Sequence, residues 1–342
     1  MAMTLEPTQG LPEKQGKSMG SIVLKRFVQH RIAMIAAVLL SLVIVLVYTS
    51  IGIANIPGWW QWDHTQRNPI LNPQGAPTMG IEDGRFVIGP HPFGQDEICR
   101  DIFARVMRGA QQSLMVMFVM GTIATFIGVV VGAFSGFYRG KADTVLMRMT
   151  EVVIAIPTLV LAAVIGVTMG GAGAFPLAVL LGVALWPALA RLVRAEYLSL
   201  REREFVDAAR VAGASDRSII FRHILPNATG VIIVNATLLM AVATILEASL
   251  SFLGFGVTFP DVSLGLLIHE YQSSFTTRPW LFWWPGMFIV TFALTINLIG
   301  DGLRDAFDPR QKRIPKDKDF VRPGKVQTEV QISDDPVGEA RR

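Results

Sequence analysis

Cysteine is almost absent from this chain of 342 residues, which contains only Cys99. A lone cysteine cannot form a disulfide within the chain, and we interpret Cys99 as a small, partly buried apolar residue. The histidines stand apart from one another, so no Cys/His cluster with the spacing of a zinc site occurs. We expect His64, His91, His223 and His269 to be solvated or bonded locally, and we predict no metal site.

Motifs for phosphate binding and metal-assisted hydrolysis are missing as well. The sequence has no G-x-x-x-x-G-K-[ST] phosphate loop and no H-E-x-x-H zinc motif. We therefore do not expect this chain to hydrolyse ATP by itself, and we predict no catalytic residues and no cofactor of its own. An intramembrane enzyme would need a catalytic constellation that the sequence does not contain.

Charged residues are scarce, at 17% of the sequence against about 25% in average soluble domains. The deficit falls in apolar runs of roughly twenty residues, the length that crosses the hydrocarbon core as a helix. The sequence therefore predicts an all-α polytopic membrane protein with about six transmembrane helices. The predicted spans are residues 32–53, 113–134, 150–168, 175–193, 228–253 and 285–299.

Polar stretches divide the chain into five parts. Residues 1–20 lack a periodic apolar face, which predicts a disordered cytoplasmic tail. Residues 96–112 place apolar side chains near helical spacing with charges between them, which predicts an amphipathic helix on the outer face. The parts are the tail 1–20, an interfacial helix and first span at 21–53, an outer loop with the amphipathic helix at 54–112, a core at 113–310 and a cytoplasmic tail at 311–342.

Basic residues indicate which membrane face each loop occupies. They are concentrated before the first span, in the loop with Arg139 and Arg148, in residues 194–227 and after the last span. Lys and Arg in short loops favour the cytoplasmic side, and six spans place both ends of the chain on one side. We predict a multi-pass protein of the cytoplasmic membrane with both termini in the cytoplasm.

Small residues and prolines mark places where the spans pack closely or bend. Gly128, Gly132 and Gly136 form a stripe with four-residue spacing, which lets helices approach closely; a hinge is the alternative. Pro157 lies inside the third predicted span and Pro187 inside the fourth. A proline removes a backbone hydrogen bond, so we expect kinks at both places.

A few polar side chains lie within the spans, where they are costly and often functional. Glu247 and Ser251 fall near the outer end of the fifth span, and Asn235 and Asn297 lie deeper in the fifth and sixth. The functional interpretation is a polar lining or gate of a translocation path. The alternative is packing, in which the asparagines make hydrogen bonds between helices and the carboxylate pairs with a neighbour.

The most charge-dense amphipathic stretch is residues 194–227, between the fourth and fifth spans. Residues 196–214 predict a helix with a small-residue apolar surface, and Gly213 predicts its end because glycine readily adopts the left-handed cap conformation. Ser215 and Asp216 predict the cap of a second helix. The result is an elbow whose small apolar tip suits a groove on a partner protein; a solvated structural turn is the alternative.

This stretch resembles the EAA motif of the membrane subunits of bacterial ABC importers. Residues 222–227 (RHILPN) and further stretches at 91–114, 247–256 and 300–310 are similar to the second, C-type permease of dipeptide, oligopeptide and nickel importers. Asp207 stands where the family usually has Glu, which keeps the charge. The residues that carry the motif are Asp207, Ala208, Ala209, Gly213, Leu225 and Pro226.

The resemblance implies an ABC type I importer permease fold in which this stretch forms a cytoplasmic coupling helix. In that family the helix docks in a cleft of an ATPase subunit. The implied partners are a second homologous permease, two cytoplasmic ATPase subunits that hold ATP and Mg, an extracytoplasmic substrate-binding protein and membrane lipids, without nucleic acid. The implied coupling residues are Phe205, Val206, Asp207, Ala208, Ala209, Ala212, Gly213, Ala214, Arg222 and Pro226.

The function that the resemblance implies is the ATP-driven passage of di- or oligopeptides across the membrane. Import of nickel or another small solute by the same architecture is the first alternative. A stand-alone channel or secondary transporter is the second, and it is less favoured because the sequence shows no convincing internal repeat of the kind common in secondary transporters.

Overall fold

A computed structural model describes residues 19–53, 56–82, 84–169, 173–259 and 261–307. The predicted tail 311–342 and most of the predicted tail 1–20 fall outside the described residues. Helices dominate the described part. The helices are α1 (Met19–Gln29), α2 (Arg31–Ser50), α3 (Ile102–Tyr138), α4 (Gly140–Ala155), α5 (Thr158–Met169), α6 (Ala174–Ala184), α7 (Pro187–Leu200), α8 (Glu204–Val211), α9 (Asp216–Ser218), α10 (Leu225–Phe252), α11 (Leu264–Tyr271) and α12 (Trp280–Phe307).

The strands of the described residues form two small antiparallel hairpins in the loop between α2 and α3. In the second hairpin, Met79 lies opposite Ile88 and Ile81 lies opposite Phe86. The strands are β1 (Gly52–Ile53), β2 (Ile56–Pro57), β3 (Met79–Glu82) and β4 (Arg85–Ile88). The loop therefore has local structure of its own, which its Gly-rich and Pro-rich sequence did not predict.

The described residues contain four helices that are long and apolar enough to cross a membrane, and up to six spans if each of two bent helix pairs counts as one. Helices α2, α3 and α12, together with the helix Asp216–Phe252, are each long and apolar enough to cross a membrane. Two bent pairs supply the other spans, with angles of 82° between α4 and α5 and 42° between α6 and α7. The breaks lie at Pro157 and Pro187, so both predicted kinks agree with the structure, and the predicted six spans are reached when each bent pair is counted as one.

Helix α1 leads directly into the first span, α2. The sequence predicted a short helix in front of this span, and its interfacial position stays a prediction. His30 separates α1 from α2, and its Nδ1 accepts a hydrogen bond of 3.2 Å from the backbone N–H of Ala33. Its Nε2 lies 3.3 Å from a carboxylate oxygen of Asp305 near the end of α12. The first and last spans are thereby joined at one end through a histidine that the sequence showed only as isolated.

Helix α3 corrects the predicted amphipathic helix at 96–112. The chain forms one unbroken helix of 37 residues from Ile102 to Tyr138, so the part from 102 onward belongs to the second span. The charges that suggested a water-facing surface are neutralised within the fold, because Arg105 pairs with Asp96 and Arg108 pairs with Asp261. At 1.5 Å per residue the helix is about 55 Å long, well beyond the roughly 30 Å hydrocarbon core.

The same helix contributes to all three buried apolar clusters. Near its beginning, Val106 and Met107 pack with residues of α2, α11 and α12. In its middle, Met120 packs with residues of α5, α6 and α10. Near its end, Ala133 and Phe137 pack with residues of α7, α8 and the helix that follows. Helix α3 is therefore the central element on which the other spans are assembled.

The predicted glycine stripe lies where α3 meets α7. A Cβ at Gly132 would lie 2.5 Å from the carbonyl oxygen of Ala190 and 2.7 Å from the Cβ of Val193. A Cβ at Gly136 would lie 2.7 Å from the Cβ of Tyr197. These distances are too short for any side chain, so the packing interpretation of the stripe is confirmed.

Candidate functional site

The elbow between the fourth and fifth spans is built from two helices and not from the single helix predicted at 196–214. Helix α7 ends at Leu200, the backbone turns through residues 201–203, and Arg203 is extended with φ −88° and ψ 146°. Helix α8 then begins at Glu204. After this change of direction, α8 buries Val206 and Ala209 in the inner apolar cluster.

Gly213 ends α8 as predicted. Its φ of +80° is in the left-handed region, and the backbone N–H groups of Gly213 and Ala214 donate to the carbonyl oxygens of Arg210 and Ala209 at 2.9 and 3.0 Å. This is the hydrogen-bond pattern of a Schellman cap. The Oγ of Ser215 then caps α9, in agreement with the sequence. A π-helical turn, Ile219–Ile224, connects α9 to α10 without a break.

Two side chains attach the elbow to the membrane helices. The hydroxyl of Tyr197, on α7, is fully buried and donates to the carbonyl oxygen of Ile220 at 3.2 Å. The guanidinium of Arg201 donates to the carbonyl oxygen of Phe137 and lies 5.6 Å from the centre of the Phe137 ring. The elbow is therefore held against the inner end of α3 as well as against α7.

The outward surface of α8 combines apolar side chains with the exposed charges of Glu204, Asp207 and Arg210. Val211 is 91% exposed, and Phe205 is 37% exposed. Ala208, Ala212 and Gly213 are exposed beside them. An exposed apolar side chain with small residues beside it can enter a groove on a partner without a large loss of side-chain entropy.

The predicted coupling residues divide between two faces. Val206 and Ala209 are buried and support the elbow, and Ala214 is half-buried. The others are exposed, so they can meet a partner, and their role stays a prediction. The exposed members are Phe205, Asp207, Ala208, Ala212, Gly213, Arg222 and Pro226.

Val211 is a surface residue that the sequence reasoning missed. It lies seven residues after Glu204 and therefore on the same face of α8, at the point farthest from the buried pair Val206 and Ala209. The sequence contained a sign of this exposed apolar residue, since Val211 interrupts an otherwise charged face of α8.

The predicted path residues do not form one polar lining. Glu247 is fully buried and accepts hydrogen bonds of 2.8 Å from Ser113 and from Ser251. These three residues form a closed cluster between α3 and α10. Asn235 donates to the carbonyl oxygen of Val231 on its own helix at 2.8 Å, so its amide does not make the predicted bond between helices. Asn297 is half-buried on α12.

A buried network on the opposite side of the molecule was also missed. Arg105 is 1% exposed and lies 3.2 Å from Asp96 and 2.8 Å from Glu270. The Tyr271 hydroxyl donates to Asp96 at 3.0 Å, and Arg100 donates to the same carboxylate at 2.6 Å. The network fastens the segment before α3 to α11. Sequence could not reveal it, because the partners are about 165 residues apart in the chain.

A second buried cluster caps the start of α3. Asp101 accepts hydrogen bonds of 2.8 Å from the Trp60 indole and from the backbone N–H of Ala104, and its other oxygen lies 2.8 Å from Nδ1 of His91. Burial raises the pKa of the Asp101 carboxyl, and these hydrogen bonds act in the opposite direction. His91 is thus a locally bonded histidine. Among the described ranges, no three His, Cys, Asp or Glu side chains come together as metal ligands.

Comparison with known proteins gives one family and several similar chains. The family described as binding-protein-dependent transport system inner membrane component matches residues 128–313. The chain is 35% identical over 295 residues to the oligopeptide transport system permease protein OppC of Mycobacterium tuberculosis, covering 86% of this chain and 96% of that protein. The same values hold for OppC of Mycobacterium bovis.

A solved structure is similar as well. It is a chain of the MetNI methionine ABC transporter in an inward-facing conformation, 20% identical in sequence, with a TM-score of 0.49. The match covers 60% of this chain and 98% of that chain.

Proposed function

Because this chain belongs to the family of binding-protein-dependent transport system inner membrane components, we propose that it is the permease subunit through which an ATP-driven importer passes di- or oligopeptides. The peptide substrate is supported by the relatives, which are named for oligopeptide transport. The type I importer permease fold is supported by the order of six spans and by the elbow between the fourth and fifth.

The partners follow from what this chain supplies and what it lacks. The sequence contains no phosphate loop, so ATP and Mg belong to two ATPase subunits on the cytoplasmic side. A second homologous permease completes the path across the membrane, and a binding protein outside delivers the peptide. Both termini of this chain lie in the cytoplasm, on the same side as the elbow, as the distribution of Lys and Arg indicates.

The elbow transmits the movement of the ATPases to the spans. When ATP closes the ATPase pair, the surface around Val211 and Ala208 moves with it. Tyr197 carries that displacement into the helix that leads to α10, and Arg201 carries it to the end of α3. The spans then rock between outward-facing and inward-facing arrangements, and the small-residue packing of α3 on α7 keeps these two helices together.

The exposed apolar tip of the elbow is the observation that carries the proposal, and Val211→Asp tests it. A carboxylate at a docked apolar position is desolvated without a partner, so we expect about 2 kcal/mol or more of docking free energy to be lost. The stability of the chain should change by less than about 0.5 kcal/mol because Val211 touches little of its own fold. Copurification of the ATPases and uptake of radiolabelled Ala-Ala-Ala are the measurements.

Val211→Ala is the matched control, because it shortens the side chain without adding charge and should keep the ATPases bound. Full peptide uptake by Val211→Asp would contradict the assignment of the elbow. Uptake of nickel, and not of any peptide, by the wild-type assembly would replace the proposed substrate while leaving the architecture unchanged.

A further inference from the structure

A groove of about 610 Å³ lies between the two bent helix pairs, beside both proline breaks. Its walls come from α4 and α5 on one side and from α6 and α7 on the other. They are apolar except at Thr158 and Arg191. A mostly apolar groove with a few convergent polar groups is the usual form of a small-molecule site.

Arg191 is a cation without a counter-ion in the part of the chain that the structure describes. It lies on α7, two residues before residue 193, where the predicted fourth span ends and the basic cytoplasmic stretch begins. Its side chain is exposed to the groove. Arg194, one turn later, is by contrast held by both oxygens of Asp143 at 2.6 and 2.7 Å. An unpaired charge within a span normally faces a water-filled path or a ligand.

The break before α5 provides hydrogen-bond donors at the same groove. Helix α5 begins at Thr158 and runs for 12 residues, and its first N–H groups have no partner within the helix. Helix α7 begins at Pro187, which also lines the groove but has no N–H group to donate, so this break contributes only the partial positive charge of a helix beginning. The beginning of a helix carries partial positive charge, so both breaks favour an anion in the same space as the Arg191 guanidinium.

We propose that this groove binds the C-terminal carboxylate of a peptide on its way through the membrane. Arg191 is the counter-ion, the first N–H groups of α5 donate hydrogen bonds, and the apolar walls contact the final residues of the peptide. This inference rests on the proposed function. A free carboxylate is present on every linear peptide whatever its sequence, so a site that recognises it accepts many sequences while it excludes solutes without that group.

Protection of an introduced thiol tests the site in the complete purified transporter in lipid nanodiscs. Ala188 lines the groove and is exposed, so Ala188→Cys in a Cys99→Ser background reports occupancy through its rate of labelling by N-ethylmaleimide. We expect Ala-Ala-Ala to slow labelling, and its C-terminal amide to need about a tenfold higher concentration for the same protection, as expected for one charge-assisted hydrogen bond.

Substitutions at Arg191 test whether its guanidinium causes the difference in protection between the peptide acid and its amide. We expect Arg191→Gln to abolish the difference between acid and amide, and Arg191→Lys to keep part of it. Arg148→Gln is the control, because Arg148 is an exposed arginine on α4 that pairs with Glu151, and it should leave the difference unchanged. The proposal is overturned if neither peptide protects, if both protect equally, or if the preference survives in Arg191→Gln.

Two further measurements separate the alternatives. If labelling is slow in phosphatidylglycerol nanodiscs and fast in phosphatidylcholine nanodiscs without peptide, a lipid headgroup occupies the groove and the proposal is wrong. Uptake of Ala-Ala-Ala by the wild-type assembly tests the proposed function on its own. Peptide uptake without protection of the thiol would contradict only the carboxylate site. Absence of peptide uptake would contradict the proposed function itself.

Discussion

At the scale of single residues, the buried carboxylates Asp96 and Glu247 both accept several hydrogen bonds. The carboxylate of Asp96 meets Arg100, Arg105 and the hydroxyl of Tyr271. The carboxylate of Glu247 accepts hydrogen bonds from the hydroxyls of Ser113 and Ser251, without a cation among these partners. Removing one member of such a set leaves the others buried without a partner, which costs more than the lost contact itself.

Arg105→Met should therefore destabilise the protein strongly. Arg105 is buried and its removal leaves Asp96, which is itself buried, with one guanidinium fewer. We expect a loss of about 3 kcal/mol in the free energy of unfolding, in the range found for broken buried ion pairs. Thermal unfolding in detergent, followed by circular dichroism, measures the difference from wild type.

The matched control is Arg148→Met, which removes an exposed arginine from a surface pair with Glu151. Such pairs contribute little, so the change should stay within about 0.5 kcal/mol. Equal effects of the two substitutions would mean that the Arg105 network does not stabilise the fold.

At the scale of elements, the contact between α3 and α7 depends on the absence of side chains. The glycines at 128, 132 and 136 let the backbone of α7 approach α3 directly. Van der Waals contact between closely packed backbones is a main source of helix association in lipid, where the hydrophobic effect between helices is weak. The inner cluster and the elbow both depend on this contact.

Gly132→Val should separate the two helices. The new side chain would overlap the carbonyl oxygen of Ala190 and the Cβ of Val193, and overpacking of this kind costs about 1–3 kcal/mol. We expect a lower thermal midpoint and reduced recovery of the assembled transporter. Gly286→Val serves for comparison, because a Cβ there meets nothing within 4 Å, and it should leave both measurements close to wild type.

Element positions were predictable from sequence to a limited extent. The spans were found because apolar length is a direct consequence of membrane thickness, and the kinks at Pro157 and Pro187 because proline chemistry is local. Helix ends were not found, because α3 begins eleven residues before the predicted start of its span. That extension is stabilised by Asp261, Glu270 and other partners far away in the chain, which hydropathy cannot register.

The candidate site divides in the same way. The cap at Gly213 and the exposed motif residues could be predicted, because capping and amphipathic spacing are properties of a short segment. The break at residues 201–203 could not be predicted from the sequence. It is stabilised by the burial of Val206 against residues of other helices, which a short segment does not reveal. Arg191 could not be distinguished from Arg194 in the sequence, since only the fold shows which of them Asp143 neutralises.

At the scale of the whole molecule, the six spans and the basic loops assign opposite sides to the β3–β4 hairpin and to the elbow. This can be tested with thiols in a Cys99→Ser background. Ile81, on β3, is 78% exposed, and Arg217, in α9, is exposed near the elbow. Applied to intact cells with a permeabilised outer envelope, a membrane-impermeant maleimide should label Ile81→Cys and spare Arg217→Cys. Labelling of Arg217→Cys alone would invert the topology.

Cell lysis provides the control for this experiment. Once the membrane is opened, both thiols should react at similar rates because both positions are exposed within the chain. A position that stays unreactive after lysis is covered by a partner subunit. Its lack of labelling then identifies an interface and gives no information on the side of the membrane.

The length of α3 has a thermodynamic consequence. One rigid helix carries the Arg105 network near its first residue and the Phe137 carbonyl that binds Arg201 near its last. An axial shift of α3 that raises the affinity for a partner at one end therefore changes the position of the residues at the other end. By linkage, the resulting change in affinity is the same in both directions. In the proposed importer, if nucleotide on the ATPases changes the affinity for the external binding protein by some factor, that binding protein must change the affinity for nucleotide by the same factor.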